Sequence, residues 1–315
     1  MEQKNFEIRT WLPIILLVTL IIIIGIFDHG FFSTANLLTI SADTMTLFLM
    51  ASGATFVIMM GGIDLSVQAI ASMASCILAV YIGQLGFAAL PLALFCGALA
   101  GLFSSLMSTK LRIPSFIATL AVSGVVLSVG FWFSEERSIS IPATDRDAYL
   151  WWAVGETYGL PNEIIVGLIV VVLLSILLQL TPFGRIVRGI GAQEQAVIAS
   201  GVNVDRIKMI AFAISGIMAA LAGIVMGARL GSGSPTLANE FLLPAISAVV
   251  VGGTAITGGV GTIWRTLIGA LIIQVVRIGM TFVGISVFAQ QIVFGVLLIA
   301  AVAVTMDRAK ILIVK

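Results

Sequence analysis

Apolar runs dominate this chain, and their lengths match helices that cross a bilayer. Such a helix needs about 20 largely apolar residues. Ten runs fit, at 11–28, 41–60, 66–84, 88–108, 115–133, 163–180, 208–228, 242–257, 265–283 and 287–305. An even number of crossings returns both termini to one side. Lys4, Arg9, Lys110, Arg112, Arg185, Arg188, Arg206, Lys208, Arg265, Arg308, Lys310 and Lys315 share that side. Arg137, Arg146 and Arg229 face the other, and Arg277 lies within a run. Basic residues concentrate in cytoplasmic loops, so both termini are expected in the cytoplasm. The glycine-rich ends of the third and eighth runs are expected to be broken or re-entrant. At membrane depth that is tolerated only where protein or water surrounds the backbone.

Two polar interruptions stand out. Residues 181–208 read TPFGRIVRGIGAQEQAVIASGVNVDRIK, with Arg185, Arg188, Arg206 and Lys208 against Glu194 and Asp205. Ile190, Val197 and Ile198 give a short helix here one apolar stripe, and Gly201 suits a C-terminal cap. A short amphipathic helix with a defined stop fits a groove on a soluble partner. On the opposite side, 134–162 forms the largest loop, rich in carboxylates and carrying Trp151, Trp152 and Tyr158. It reads as an interfacial aromatic anchor with a solvated loop or as a docking surface for an external protein, with a short helix around 148–154.

Composition narrows the class. The 315 residues are 60% hydrophobic and 10% charged, with mean hydropathy +1.17. Soluble domains average about 25% charged residues, so the bilayer is this chain's solvent. A net charge of +1 gives no footprint for nucleic acid. Cys76 and Cys96 sit in apolar runs and read as buried small hydrophobes, without metal or disulfide spacing. His29 reads as a boundary residue in the break FDHGFF. The first apolar run has no cleavage site after it and is expected to remain as an anchor. Glycine is abundant, and Gly97 and Gly101 form a small-xxx-small pair of the kind that lets helix backbones approach in lipid.

Two glycine-rich signatures flank apolar runs. GGIDLS, at 61–66, places Asp64 at the joint between the second and third spans. A carboxylate there either caps the next helix or contacts a substrate, since charges at membrane depth are costly and usually functional. VVGGTAITGGVGT, at 250–262, implies close backbone packing or an unwound segment. It is no phosphate loop, because no Lys-Ser or Lys-Thr completes one. Inside the spans, Gln274 and Arg277 share a face of the ninth helix. Arg277 lies roughly 10 Å from the outer end at 1.5 Å per residue. It either snorkels outward, lines a water-filled path or pairs with an acidic residue such as Asp43. Thr119 and Ser123 share a face of the fifth span, and Gln290 and Gln291 open the tenth.

Taken together, GGIDLS, the 181–208 stretch, and SGIMAALAGIVMGARLGSGSP leading to VVVGGTAITGGVGT resemble the membrane permeases of bacterial ABC importers of the ribose/simple-sugar family. The resemblance runs from about Phe32 to Met306. It implies an all-α polytopic fold of the type II importer class, forming one transmembrane domain over 1–315 in the inner (plasma) membrane. It implies a pair of permease subunits, homo- or heterodimeric, an ATPase docked from the cytoplasm and a periplasmic or lipid-anchored sugar-binding protein. ATP and Mg would be used by that ATPase, with no cofactor on this chain. The 181–208 loop would hold a coupling helix around 189–201, with Gly189, Gly191, Gln193, Glu194, Ala196, Ser200 and Gly201 facing the ATPase. A translocation path is expected along the dimer axis, with Asp64, Gln68, Gln274 and Arg277 as its residues.

The sequence departs from that family's pattern in three places. Gln68 stands where glycine usually follows DLSV, Trp264 and Arg265 precede Thr266 where Gly-Thr often continues, and FLLP fills 241–244 where an acidic residue tends to stand. These mark a divergent substrate or one half of a heterodimer. A secondary transporter or channel is the alternative. It would need ion-coupling acids at the midplane, and Asp43 and Asp64 both sit at span ends. A membrane-embedded enzyme would need a nucleophile with a base or a metal cluster, and neither constellation is visible.

Overall fold

The computed structural model describes residues 2–27, 29–282 and 284–305. The expectations for Arg308, Lys310 and Lys315, and for the side chains of Lys4, Arg9 and His29, lie outside what it describes. Thirteen α-helices are found there: α1 Glu2–Phe27, α2 Thr34–Met59, α3 Val67–Leu85, α4 Ala89–Thr109, α5 Ser115–Ser134, α6 Ala143–Tyr149, α7 Trp151–Val154, α8 Asn162–Leu180, α9 Pro182–Ala199, α10 Val204–Leu230, α11 Leu242–Val251, α12 Ile263–Phe282 and α13 Val287–Thr305.

Six stretches are long and apolar enough to cross a membrane. One of them, Val67–Thr109, is folded as α3 and α4 about the short turn Gly86–Ala88. Pro13–Ile26, Asn239–Val251 and Ala289–Ala303 are shorter apolar helices. The chain is therefore a polytopic helical membrane protein.

Sequence chemistry accounts for several boundaries. Pro182 opens α9 at its first turn, where proline's missing N–H is no loss. Asn203 caps α10 by accepting from the Arg206 N–H at 3.1 Å, and Asp205 adds negative charge to the first turn. Gly231 takes φ +64 and stops α10. The span expected over 242–257 ends early. α11 stops at Val251, and Gly253, Gly258 and Gly259 turn the next segment through positive φ, a region that suits glycine because it lacks Cβ. α10 begins at Val204, four residues before the expected 208.

α2 and α10 form the centre. α2 is buried on nearly every side. α10 packs on α2, α3 and α4, and α3 packs on α5. The Gly97 and Gly101 pair explains the closeness of α4 to α10. A Cβ on Gly101 would stand 2.1 Å from the Phe212 carbonyl oxygen, and one on Gly97 would stand 2.6 Å from that of Gly216. Without a hydrophobic drive between helices in lipid, such backbone approach supplies the packing. Cys76 is buried and Cys96 partly so.

At the end of the bundle away from α9, the 134–162 loop is folded and stitched down. Ile139–Ser140 pairs antiparallel with Ser232–Gly233 after α10. Glu156–Thr157 pairs with Leu160–Pro161 around Tyr158 and Gly159, both at positive φ. The single helix expected near 148–154 is two, α6 and α7, broken at Leu150.

Candidate functional site

The two glycine signatures and the 181–208 segment are far apart in sequence, yet they meet at the C-terminal end of α2. α2 ends at Met59, and Gly61 turns the chain with φ +78. The following residues run extended, so their N–H groups need partners outside the loop. α5 provides two. Ser115 Oγ accepts from the Ile63 N–H at 3.0 Å and Thr119 Oγ1 from the Leu65 N–H at 3.0 Å. Asp64 is 1% exposed. One carboxylate oxygen accepts from the Ser66 N–H (2.9 Å) and hydroxyl (2.6 Å), and the other accepts from Ser215 Oγ on α10 at 2.7 Å. A buried carboxylate is tolerable only with such donors. Here they tie the α2–α3 joint to the central helix.

The 252–262 segment closes on the same place. Gly259 N–H donates to the Met59 carbonyl at 2.8 Å, and Ala255 N–H to the Val260 carbonyl at 3.0 Å. A Cβ on Gly269 would lie 1.9 Å from the Ala248 carbonyl oxygen, so α12 presses directly on α11. Nearby, the Thr55 and Thr266 hydroxyls bond at 2.8 Å across the buried α2–α12 seam.

α9 brings in the third segment. It is two short helices joined at Gln193, whose φ of −162° is extended backbone. Before the break it is anchored, with Val187 and Ile190 buried. A Cβ on Gly191 would stand 1.9 Å from the Met59 carbonyl oxygen and 2.2 Å from the Gly259 nitrogen. After the break it is presented outward. Gln195, Ala196, Ile198, Ala199 and Ser200 are exposed, and Ile198 is 48% exposed, so it does not share the buried stripe with Ile190. Glu194 pairs with Lys208 at 2.7 Å, fixing the outward turn to the start of α10. Ser200 Oγ donates to the Val197 carbonyl at 2.7 Å, and Gly201 ends the element at φ +84. Gly189 is half-buried, with Val197 Cγ2 3.1 Å from where its Cβ would be.

The four residues expected on one path fall in two places. Asp64 and half-buried Gln68 lie beyond the C-terminal end of α2. Gln274 is buried near the other end and donates to the Asp43 carbonyl at 2.9 Å, with its own Oε1 left without a partner. Asp43 and Met59 are sixteen residues apart on one helix, roughly 24 Å at 1.5 Å per residue. Arg277 does not pair with Asp43. Its guanidinium sits 5.1 Å from the Phe241 ring centre, a cation–π geometry, while Arg229 takes the Asp43 carboxylate. Gln291 bonds the Glu240 carboxylate at 2.5 Å, and Gln290 bonds Thr281 at 3.3 Å.

Sequence reasoning missed Ser115 and Ser215. Both are small polar residues in apolar helices, and only the fold shows that they face the Asp64 loop. Thr119 was visible as a polar face of α5, but not as a backbone acceptor.

Residues 36–302 match the family model described as branched-chain amino acid transport system / permease component. The chain is 37% identical over 300 residues to the ribose import permease of Bacillus subtilis, covering 95% of this chain and 92% of that one. It is 36% identical over 309 residues to the ribose import permease of Haemophilus influenzae, covering 96% and 95%. It is 33% identical over 302 residues to the fructose import permease of Rhizobium meliloti, covering 93% and 84%. No solved structure matches. Permease components of such importers work with an ATPase and a binding protein, and ATP hydrolysis belongs to that separate subunit. The chain belongs to this family of transport-system permease components, and it is a multi-pass inner-membrane permease subunit of an ATP-binding-cassette importer, not an enzyme.

Proposed function

We propose that this permease carries a monosaccharide or related small polar solute inward by alternating access, driven by an ATPase docked on the outward-facing turn of α9. The single observation that carries the reading is the meeting at Gly191. The exposed turn that follows it is braced on the two glycine loops that end α2 and precede α12. A push on that turn therefore reaches two bundle helices through backbone contacts. The family relatives support the solute class, since those named above import ribose and fructose.

In this reading ten helices cross the bilayer, the termini and the 181–208 segment are cytoplasmic, and 134–162 is periplasmic. The basic residues gathered on the α9 side support that orientation. Gln193, Glu194, Ala196, Ser200 and Gly201 form the contact surface, with Gly189 and Gly191 behind it. Asp64 is a locking residue of the α2–α3 joint. The subunit binds no cofactor, and ATP with Mg acts in the partner. A second permease subunit completes the path, with half-buried Gln68 toward its inner end and Gln274 and Arg277 toward its outer end.

ATP drives such a cycle only if the ATPase binds the inward and outward states with different affinity. The test is mild-detergent co-purification of the tagged chain from its native membranes, followed by mass spectrometry. An ATPase is expected in the complex, and a second permease would identify a heterodimer. Repeated isolation of the chain alone, stable and without an ATPase, would overturn the reading.

A further inference from the structure

A cleft of about 670 Å³ opens at the end of the bundle away from α9, beside the 134–162 loop. Its walls are α2, the start of α8, the end of α10 and the 134–162 loop. Its charged and aromatic lining is Arg146, Asp147, Trp151, Glu156, Glu163 and Arg229. Its size falls in the range of about 300–1,000 Å³ that holds small molecules.

The lining is partly committed and partly free. Arg229 pairs with Asp43 and lies 3.7 Å from Glu163, whose side chain is only 7% exposed. These pairs join α2, α8 and α10 beside the cleft. Arg146 makes no ion pair among the described residues, and its Nε is buried with no hydrogen-bond partner. Nε itself is out of a ligand's reach, but the guanidinium is part of the cleft wall and makes no side-chain hydrogen bond among the described residues, so its outer N–H groups can donate to a ligand. Trp151 is 56% exposed, yet its backbone is held, since Asn162 Nδ2 donates to its carbonyl at 2.8 Å. The wall is thus preorganised, which lowers the cost of binding.

Both charge signs line the cleft. Carboxylates repel an anion and guanidinium groups repel a cation, whereas a zwitterion or a neutral ligand with adjacent hydroxyls serves both, and the reading of the chain as a sugar importer's permease selects the neutral one. The hydroxyls of such a ligand would donate to Glu156 and Asp147 and accept from Arg146, with its C–H face against the Trp151 indole. We propose that this cleft is a monosaccharide-binding site on the permease itself, which receives the solute before it enters the path. The proposal rests on the reading of the chain as a sugar importer's permease.

The test uses the full-length permease in nanodiscs, without its binding protein, titrated with radiolabelled D-ribose, D-fructose and L-arabinose. In parallel, uptake of the same sugars is measured with the complete importer in proteoliposomes. Saturable binding of the transported sugar is expected, at least tenfold weaker in Arg146→Lys, which keeps the charge but loses the planar guanidinium fork. Glu156→Gln, an exposed loop change that spares the fold, should weaken it several-fold, and Trp132→Phe on α5 should leave it unchanged. A complete importer that transports one sugar while the permease alone binds none would overturn the site, as would wild-type binding in both Arg146→Lys and Glu156→Gln. A complete importer that transports none of the three would instead overturn the sugar reading, and this proposal with it.

Discussion

Gly191 and Gly259 touch backbone to backbone, so closely that a methyl on Gly191 would stand 2.2 Å from the Gly259 nitrogen. They lie 68 residues apart, one in α9 and one in the loop before α12. Through this contact the exposed turn after Gln193 bears on both glycine loops.

Gly191→Ala should therefore separate that turn from the bundle. Neither neighbour can yield easily, because both near atoms are backbone. Overpacking of this kind costs about 1–3 kcal/mol. The expected result is lower thermal stability and an ATPase that still hydrolyses ATP but drives less uptake. Equal uptake per ATP hydrolysed in wild type and variant would contradict the assignment.

Changes on the exposed turn should behave differently. Glu194 is 40% exposed, and its pair with Lys208 is worth about 0.2–1 kcal/mol at most in such a setting. Replacing Glu194 and Gly201 together by Lys and Asn, the latter tolerating the left-handed backbone at 201 (φ +84), should leave the Tm of the membrane domain within a few degrees. ATPase retention in a pull-down should fall by tenfold or more. Retention at the wild-type level would remove these two residues from the contact surface.

Asp64 offers a test of locking against transport chemistry. Asp64→Ala leaves the Ser215 hydroxyl and the Ser66 N–H and hydroxyl without their acceptor. That should cost about 1–3 kcal/mol, read as a lower Tm and poorer recovery from membranes. Asp64→Asn keeps one carbonyl acceptor and should lie between. If Asp64→Ala were as stable as wild type yet inactive, the carboxylate would belong to the transport path rather than to the joint.

At the centre, Gly101→Leu should damage the fold more than any of these substitutions. Its Cβ alone would reach within 2.1 Å of the Phe212 carbonyl oxygen, and the larger side chain would force α4 away from α10. Loss of folded protein on size-exclusion chromatography is expected, while Gly124→Leu, at an open position on α5 with nothing within 4 Å, should be recovered normally.

How much of the molecule was legible in its sequence follows from what a one-dimensional pattern encodes. Hydrophobic runs located most long helices to within a few residues, because an apolar stretch in lipid has to satisfy its own backbone, but α1 and α2 start nine and seven residues before the runs expected at 11–28 and 41–60. The pair Gly97 and Gly101 announced a close helix contact, though not with which helix. The early stop of α11 at Val251 was foreshadowed by the glycines after it, but the close approach of Gly252 to the Arg265 backbone was not. Asp64 was visible as a costly buried charge. Its partner Ser215 was not, because 151 residues separate them and a serine in an apolar helix carries no pattern. Arg277 was equally undetermined, since the Asp43 carboxylate and the Phe241 ring can both receive a cation and only the packing selects the ring. The outer cleft was legible only in part, through the carboxylates and Trp151 of the 134–162 loop. Its lining comes from four separate elements, and its charges look like an ordinary solvated loop.

The most direct test of the central claim is uptake of labelled D-ribose, D-fructose or L-arabinose into proteoliposomes holding the permease with its ATPase and binding protein. The account predicts uptake that requires ATP and the binding protein, persists when the proton gradient is dissipated, and falls in Gly191→Ala. Uptake by the permease alone, driven by an ion gradient and indifferent to ATP, would contradict it.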